Sequence, residues 1–149
     1  MPGGAVAGTL PFMDWTLELV PVPVTDVDRA KDFYAEQVGF EVTVDRQVSE
    51  DFRVVQLTPR GSGCSIGLVS GQGSLEPGSL QGLQLVVFDV RAAHTQLRKR
   101  GVDVGEVQVF EPSGPRPARE DDELNNTGFV FFSDPDGNGW AVQQIDARS

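Results

Sequence analysis

Residues 131–145 read FFSDPDGNGWAVQQI, and this stretch decides how the second half of the chain folds. Alternating apolar residues on both sides predict two β-strands, at about 128–133 and 139–145. The Asp-Pro-Asp-Gly sequence between them predicts a tight turn, where Asp134 and Asp136 are favoured because their carboxylates accept hydrogen bonds from turn amides. The stretch therefore predicts an antiparallel hairpin.

A pattern found upstream of this hairpin occurs twice in the chain. Residues 22–42 and 85–104 each run from a β-branched strand through an Asp-Val step into an amphipathic helix, a glycine and an alternating strand. Asp26 in the first segment corresponds to Asp89 in the second. We interpret the two segments as copies of one structural unit.

The helix boundaries follow from capping patterns. Thr25 and Asp28 have the spacing of a capping arrangement and predict the start of the first helix. Gly39 and Gly101 predict where the two helices end, because glycine adopts the left-handed conformation that terminates a helix.

Three predicted strands follow each helix, so each half is a βαβββ unit. The predicted strands lie at about 40–45, 52–58 and 64–69 in the first half, and 104–110, 128–133 and 139–145 in the second. We expect a flexible tail at 1–13 and a single domain at 14–149, with modules at about 15–70 and 80–145 and a linker at 71–79.

One further stretch, residues 111–126, is predicted to be irregular. It reads EPSGPRPAREDDELNN and is long for a connection inside a compact domain. Both a lid over a binding site and a solvated excursion are compatible with this composition.

Composition narrows the class of protein. The 149 residues carry a formal net charge of −10, which disfavours nucleic acid as a partner, and no apolar run approaches the ~20 residues of a membrane span. The first 13 residues contain no Lys or Arg, unlike a signal peptide. Cys64 is the only cysteine, so no internal disulfide can form and we expect a reducing, cytoplasmic location.

The two βαβββ halves, with VTDVDRAKDFYAEQVGFEV in the first and FVFFSDPDGNGWAVQQI closing the second, resemble the vicinal oxygen chelate superfamily of glyoxalases, bleomycin resistance proteins and extradiol dioxygenases. The resemblance covers roughly residues 15–145. It implies an α+β fold in which two βαβββ modules with curved mixed sheets form a cavity. It also implies a homodimer, because members commonly pair or exchange modules.

In metal-using members of that superfamily, up to four ligands come from the first and last strands of each module. The resemblance places these positions at Leu19, Gly67 or Ser65, Gly82 and Ala141. None of these side chains can serve as a strong ligand, since hard and borderline cations need several oxygen or nitrogen donors together. If the ligand positions are shifted by one residue along the strands, Glu18 is the only potential metal ligand among them. We therefore expect neither a metal nor another cofactor.

Strand alternation then predicts the lining of the cavity, because every second side chain faces the same side. This lining is small and apolar with a few amides, and tryptophans flank it. The candidate ligand-binding residues are Trp15, Leu17, Leu19, Gln56, Ser65, Gly67, Gln84, Phe110, Trp140, Ala141 and Gln143.

Two functions are compatible with these residues. The first is a metal-independent protein, resembling bleomycin resistance proteins, that binds or sequesters an organic metabolite or antibiotic; its ligand would be small, cationic or aromatic. The alternative is a metal-free isomerase or lyase using acid–base groups such as Glu18 or the acidic run 120–123. A metal-dependent glyoxalase or extradiol dioxygenase would need ligands that this chain lacks. The residues by themselves do not decide between a binding protein and an enzyme.

Overall fold

A four-stranded and a five-stranded sheet, each accompanied by one helical segment, make up the protein. The computed structural model describes residues 12–71 and 75–146. The first half contains β1 (Leu19–Pro23), α1 (Val27–Asp32), β2 (Glu41–Ser49), β3 (Phe52–Thr58) and β4 (Ser65–Val69). The second contains β5 (Leu83–Val87), α2 (Val90–Lys99), β6 (Gln108–Glu111), β7 (Gly114–Pro117), β8 (Gly128–Ser133) and β9 (Gly139–Gln144).

The strand order is the same in both halves, except that the second sheet has one additional strand, β7, at its edge. The first sheet, sheet A, runs β1-β4-β3-β2, and the second, sheet B, runs β5-β9-β8-β6-β7. The first and last strands of each module pair in parallel, and the remaining pairs are antiparallel. The prediction of an α+β fold with two mixed sheets is confirmed. The predicted tail lies mostly outside the described residues, as do residues 72–74 of the predicted linker.

Both helices begin in the same way. The Asp26 carboxylate accepts a hydrogen bond from the Arg29 amide at 3.1 Å, and Asp89 does the same for the Ala92 amide at 3.1 Å. Each Asp thus satisfies an amide that the first helical turn leaves without a partner. The predicted cap at Thr25 is wrong: the Thr25 hydroxyl donates instead to the Asp136 carboxylate at 2.7 Å, in the other half of the chain.

The helix ends also differ from a simple repeat. After α1 the chain continues without a break as a π-helical segment, Phe33–Val38, and ends at Gly39 with φ of 98°. The second helix stops near Gly101, with φ of 84°. Both glycines occupy the left-handed region that favours glycine, as the sequence predicts.

The hydrophobic core lies between the helices and one face of each sheet. Val22 from β1 and Val24, which directly follows β1, are fully buried, and Leu85 and Val87 from β5 pack against the same cluster. The predicted alternation of these strands is confirmed, since their other faces point away from the helices. Both sheets therefore bury one face within the chain and leave the opposite face open.

The β8–β9 turn joins the two halves through a buried hydrogen-bond network. The Tyr34 hydroxyl donates to the Asp134 carboxylate at 2.7 Å and accepts from the Trp140 indole N–H at 2.9 Å. The Asn138 side-chain amide donates to the same carboxylate and to the Pro23 carbonyl, both at 2.8 Å. All four side chains are nearly inaccessible to solvent. Burial, together with the Asp134 carboxylate, raises the pKa of Tyr34 far above its ordinary value, so the phenol stays neutral and donates.

The segment that follows the linker closes against the same turn. Gly78 has φ of 80°, and its Cα lies so close to the Asp136 carbonyl that a Cβ would collide with it. The Gln81 side chain then donates to the Gly78 carbonyl at 3.2 Å and the Gly137 carbonyl at 2.8 Å. The chain thus enters the second module directly beside the turn.

The stretch 111–126 is more ordered than the sequence predicts. Its first part forms the β6–β7 hairpin, and Arg116 binds both the Glu111 and the Asp122 carboxylates at 2.8 to 3.1 Å. The Arg116 guanidinium holds the pKa of both carboxyls below their ordinary values. The second half is therefore βαββββ, and the ion pairs tie the added strand to the segment that follows it.

Among the described residues, neither helix has the length and apolar character that a membrane-spanning helix requires.

We expect Tyr34→Phe to lower the free energy of unfolding by about 1 to 3 kcal/mol, because it leaves the buried Trp140 N–H without an acceptor and removes one donor to Asp134. Urea denaturation at neutral pH measures this change. Thr95→Ala is the control: it removes an exposed hydroxyl bound to the Arg91 carbonyl and should change stability by less than about 0.5 kcal/mol.

The same variant tests the network by its pH dependence. The folded pKa of Tyr34 is raised above the ordinary value of 10.0, so its contribution is fully present below that pH and is lost as pH rises above it. Wild type should lose stability in alkali more steeply than Tyr34→Phe. Equal slopes, or an unchanged neutral stability, would contradict this account of the network.

Candidate functional site

The open face of sheet A carries four of the candidate residues. Register places Leu19 beside Ser65, and Gly67 beside Gln56. The Leu19 side chain leans over Gly67, where an added Cβ would come within 3.3 Å of both Leu19 methyl carbons. This face borders a cleft of about 440 Å³ whose lining includes Leu19, Gln56 and Gly67.

A chain of hydroxyl groups crosses the same face. The Ser65 and Thr58 hydroxyls are 2.6 Å apart, and the Thr58 and Thr43 hydroxyls are 3.1 Å apart. These groups satisfy one another, so this part of the face presents paired polar groups rather than unpaired ones.

The open face of sheet B is aromatic at one side. Phe129 and Phe131 alternate along β8 and hold their rings parallel to within 7°, with centroids 6.0 Å apart. Phe110 from β6 meets both rings edge-on, at 5.0 and 6.2 Å. Phe110 and Phe131 are each 38% exposed, which is unusual for such large apolar side chains on a sheet. We call these three residues the phenyl cluster.

The other side of the same face carries amides. Gln84 of β5 lies beside Ala141 of β9, and Ala141 lies beside Phe131 of β8. One row of side chains across the sheet therefore consists of the Gln84 amide, the Ala141 methyl group and the Phe131 phenyl ring. The Gln84 side-chain amide donates to the Gln143 side-chain oxygen, and the Gln143 amide donates to the Asn126 carbonyl at 2.8 Å.

A second cleft, larger than the one beside sheet A, opens at the end of this row. It has a volume of about 790 Å³, and its lining includes Gln81, Gly82, Asp103, Phe131 and Ala141. Ala141 and Phe131 thus connect the open face of sheet B to a cleft large enough for a drug-sized molecule.

The residues that the resemblance places at metal-ligand positions do not fit a metal ion. Leu19, Gly67, Gly82 and Ala141 provide no side-chain donor, and Ser65 is hydrogen-bonded to Thr58. Within residues 12–71 and 75–146, no group of three or more His, Cys, Asp or Glu side chains is arranged to hold a metal ion.

Two of the acidic residues proposed as acid–base groups, Asp122 and Glu18, lie in different parts of the chain. Asp122, in the acidic run, is engaged with Arg116 and also accepts a hydrogen bond from the Arg119 amide at 2.6 Å. Glu18 is exposed just before β1, where its carbonyl accepts from the Ser65 amide. Neither arrangement resembles a general acid or base directed at a bound substrate.

The eleven candidate residues do not form one lining within the chain. They divide between sheet A (Leu19, Gln56, Ser65 and Gly67) and sheet B (Gln84, Phe110, Ala141 and Gln143). Trp15 and Leu17 precede β1 and are 84% and 69% exposed. Trp140 is only 4% exposed and packs in the core, because it alternates with Ala141, yet it also contributes to the lining of the 790 Å³ cleft described above.

Two residues of the site were missed by sequence analysis. Phe129 and Phe131 belong to a run of apolar residues, GFVFF, whose alternation gives no sign of which face is covered. The pairing of Phe131 with Ala141 places them on the open face. The signal available was the antiparallel register implied by the Asp-Pro-Asp-Gly turn, which puts Phe131 opposite Ala141.

Comparison with solved structures identifies similar proteins from Streptomyces sp. CB03234. TnmS3, an antibiotic binding protein, is 33% identical, with a TM-score of 0.70, and the match covers 91% of this chain and 99% of TnmS3. A glyoxalase/bleomycin resistance protein from the same organism is 36% identical, with a TM-score of 0.67, over 87% of this chain and 100% of that one.

A more distant relative and a family profile agree with this placement. The uncharacterized protein YetH of Bacillus subtilis is 26% identical over 128 residues, which are 84% of this chain and 94% of YetH. The profile of the Glyoxalase/Bleomycin resistance protein/Dioxygenase superfamily matches residues 13–142. With this match and the paired mixed sheets, the chain belongs to the glyoxalase/bleomycin resistance protein/dioxygenase superfamily.

Proposed function

We propose that this protein is a metal-independent binding protein that holds or sequesters a small organic metabolite or antibiotic on the open face of sheet B. The observation that carries the proposal is the row formed by Gln84, Ala141 and Phe131, which leads into the 790 Å³ cleft. Partly exposed phenyl rings beside a few oriented amides are typical of a ligand pocket, where apolar contact supplies affinity and polar groups fix orientation.

The relatives support a binding role. TnmS3 is an antibiotic binding protein, and it is similar to this chain over nearly its full length. The enzyme alternative lacks a comparable observation, because the Asp122 carboxylate is committed to Arg116. We further propose a cytoplasmic location, in keeping with the single free cysteine, Cys64.

Metal independence predicts that the purified protein contains no stoichiometric Zn, Ni, Fe or Mn. The physical reason is that Leu19, Gly67, Gly82 and Ala141 supply no donor atoms where metal-using relatives place ligands. Elemental analysis of protein purified without chelator provides the measurement. About one tightly held ion per chain, whose removal by chelator also lowers the melting temperature, would contradict the proposal.

Ala141→Phe tests the site itself. A ligand is first found by a thermal-shift screen of metabolites and antibiotics, since a molecule that binds the native state raises the melting temperature. Ala141 lies between Gln84 and Phe131 on an open face, so a phenyl ring there should occupy the ligand's space. We expect at least tenfold weaker binding and little change in the melting temperature of the free protein.

Ala92→Phe is the matched control, because Ala92 is exposed on α2 and lies outside the proposed site. It should leave ligand affinity unchanged. If Ala141→Phe destabilises the free protein by about 1 to 3 kcal/mol, as overpacking of a filled core does, the face is not an open pocket. A ligand whose affinity ignores Ala141→Phe binds elsewhere.

We also propose that the protein is a homodimer. The residues lining the 440 Å³ cleft all belong to the first module, and two exposed apolar side chains, Leu19 and Phe52, border it on sheet A. A second copy that covers this face of sheet A would leave the ligand face of sheet B free, and apolar patches of this kind commonly mark interfaces. Light scattering should give twice the chain mass. A monomer mass at every accessible concentration would contradict the dimer without affecting the binding proposal.

A further inference from the structure

One backbone atom determines the orientation of the Gln84 and Gln143 side-chain amides on the open face of sheet B. The Asn126 carbonyl oxygen can only accept hydrogen bonds, so the Gln143 group that faces it at 2.8 Å must be the NH2 group. The Gln143 side-chain oxygen therefore faces Gln84. Since that oxygen accepts, Gln84 must turn its own NH2 group toward Gln143.

The Asn126 carbonyl is itself held in place. Asn126 has φ of 69°, the left-handed region that asparagine tolerates better than most residues. Its amide donates to the Gln144 carbonyl at 2.8 Å, which anchors it to β9. The Asn126 carbonyl therefore fixes the orientation of the Gln143 amide, and Gln143 in turn fixes the orientation of the Gln84 amide.

The consequence is an oriented acceptor at the edge of the proposed site. With its NH2 group turned toward Gln143, the Gln84 side-chain oxygen accepts no hydrogen bond from any other described residue, and Gln84 is exposed. A ligand that covers this oxygen must supply a donor, because a desolvated acceptor without a partner costs free energy. A ligand with only an acceptor there would face an unpaired oxygen.

The surface beside this oxygen is flat and apolar. Ala141 adds only a methyl group between Gln84 and the phenyl cluster. With strands roughly 4.8 Å apart, the distance from the β5 row to the β8 row is about 10 Å, the length of about two or three fused aromatic rings. Phenyl rings favour offset-stacked or edge-to-face contact with such rings, and a rigid flat molecule loses little conformational entropy on binding.

We infer that the ligand of this face is a planar, fused aromatic molecule that carries a hydroxyl or amino donor on one edge. In the bound state the rings lie over Ala141 against the phenyl cluster, and the donor binds the Gln84 side-chain oxygen. Gln84 contacts the ligand, whereas Gln143 is a positioning residue that acts through Gln84. This inference rests on the proposed binding function and specifies its ligand class.

Three probes separate the two requirements. The first, 2-naphthol, is planar and carries a donor; the second, 2-methoxynaphthalene, is planar without a donor; the third, decahydro-2-naphthol, carries the donor on a saturated skeleton. Titrations of the full-length protein by NMR near neutral pH give the three dissociation constants. We expect 2-naphthol to bind at least about fivefold more tightly than either of the others, as one net hydrogen bond or aromatic contact implies.

Variants then assign the contacts. Gln84→Leu should weaken 2-naphthol about fivefold and leave 2-methoxynaphthalene unchanged, so that the two bind equally. Gln143→Leu should also reduce the preference for 2-naphthol, because the Gln84 amide is then free to turn. Phe131→Leu should weaken both naphthalenes and preserve their ratio. Gln96→Leu, on the exposed surface of α2, is the control and should change none of the affinities.

The outcomes distinguish failure of this inference from failure of the proposed function. Equal binding of 2-naphthol and 2-methoxynaphthalene by the wild type overturns the donor requirement, and equally tight decahydro-2-naphthol overturns the planar requirement. If 2-naphthol does not bind while a screened ligand is excluded by Ala141→Phe, the ligand class is wrong and the binding function stands. If no screened ligand responds to Ala141→Phe either, both are wrong.

Discussion

One carboxylate, that of Asp134, joins the two halves of this protein. It accepts hydrogen bonds from the Tyr34 hydroxyl, the Asn138 side chain, and the amides of Asp136 and Asn138, at 2.7 to 2.9 Å. The first of these partners belongs to the first module and the others to the β8–β9 turn. Because the network is buried, each lost partner would leave a polar group without water or protein to satisfy it. The two modules therefore pack in one arrangement.

That arrangement determines where the binding surface lies. The network holds the helix-facing sides of both sheets against one core, so the opposite faces of the sheets remain available. On those faces the chain has small or apolar residues, among them Leu19, Gly67 and Ala141. The phenyl cluster lies beside Ala141 and exposes further apolar surface. The proposed binding of an organic molecule depends on this apolar surface.

In the proposed complex, specificity depends on shape and also on which groups donate hydrogen bonds and which accept them. A side-chain amide can turn by half a rotation and exchange donor for acceptor, so an isolated glutamine discriminates poorly. Here the Asn126 carbonyl removes this freedom through Gln143. A fixed acceptor beside an apolar surface favours a ligand with a hydrogen-bond donor, because any other ligand would bury the acceptor oxygen without a partner.

The sequence by itself determined the features that depend on neighbouring residues. The repeated Asp-Val helix starts, the glycines that end the helices, the Asp-Pro-Asp-Gly turn and the alternation of β1 and β5 are local, and each is found as predicted. The strand β7 was not predicted, because pairing with β6 and the ion pairs of Arg116 hold it, and neither depends on neighbouring residues alone.

Only the tertiary structure decided which side chains meet. Thr25 does not cap the first helix as predicted, because its hydroxyl binds the carboxylate of Asp136, which lies more than a hundred residues later in the sequence. Trp140 is held by contacts across the chain: its buried indole donates to the Tyr34 hydroxyl, and the same residue borders the cleft beside Ala141. The phenyl cluster and the orientation of Gln84 arise from strand register and from a backbone carbonyl. Most of these contacts join residues that are far apart in the sequence, so the pattern of neighbouring residues does not predict which side chains meet.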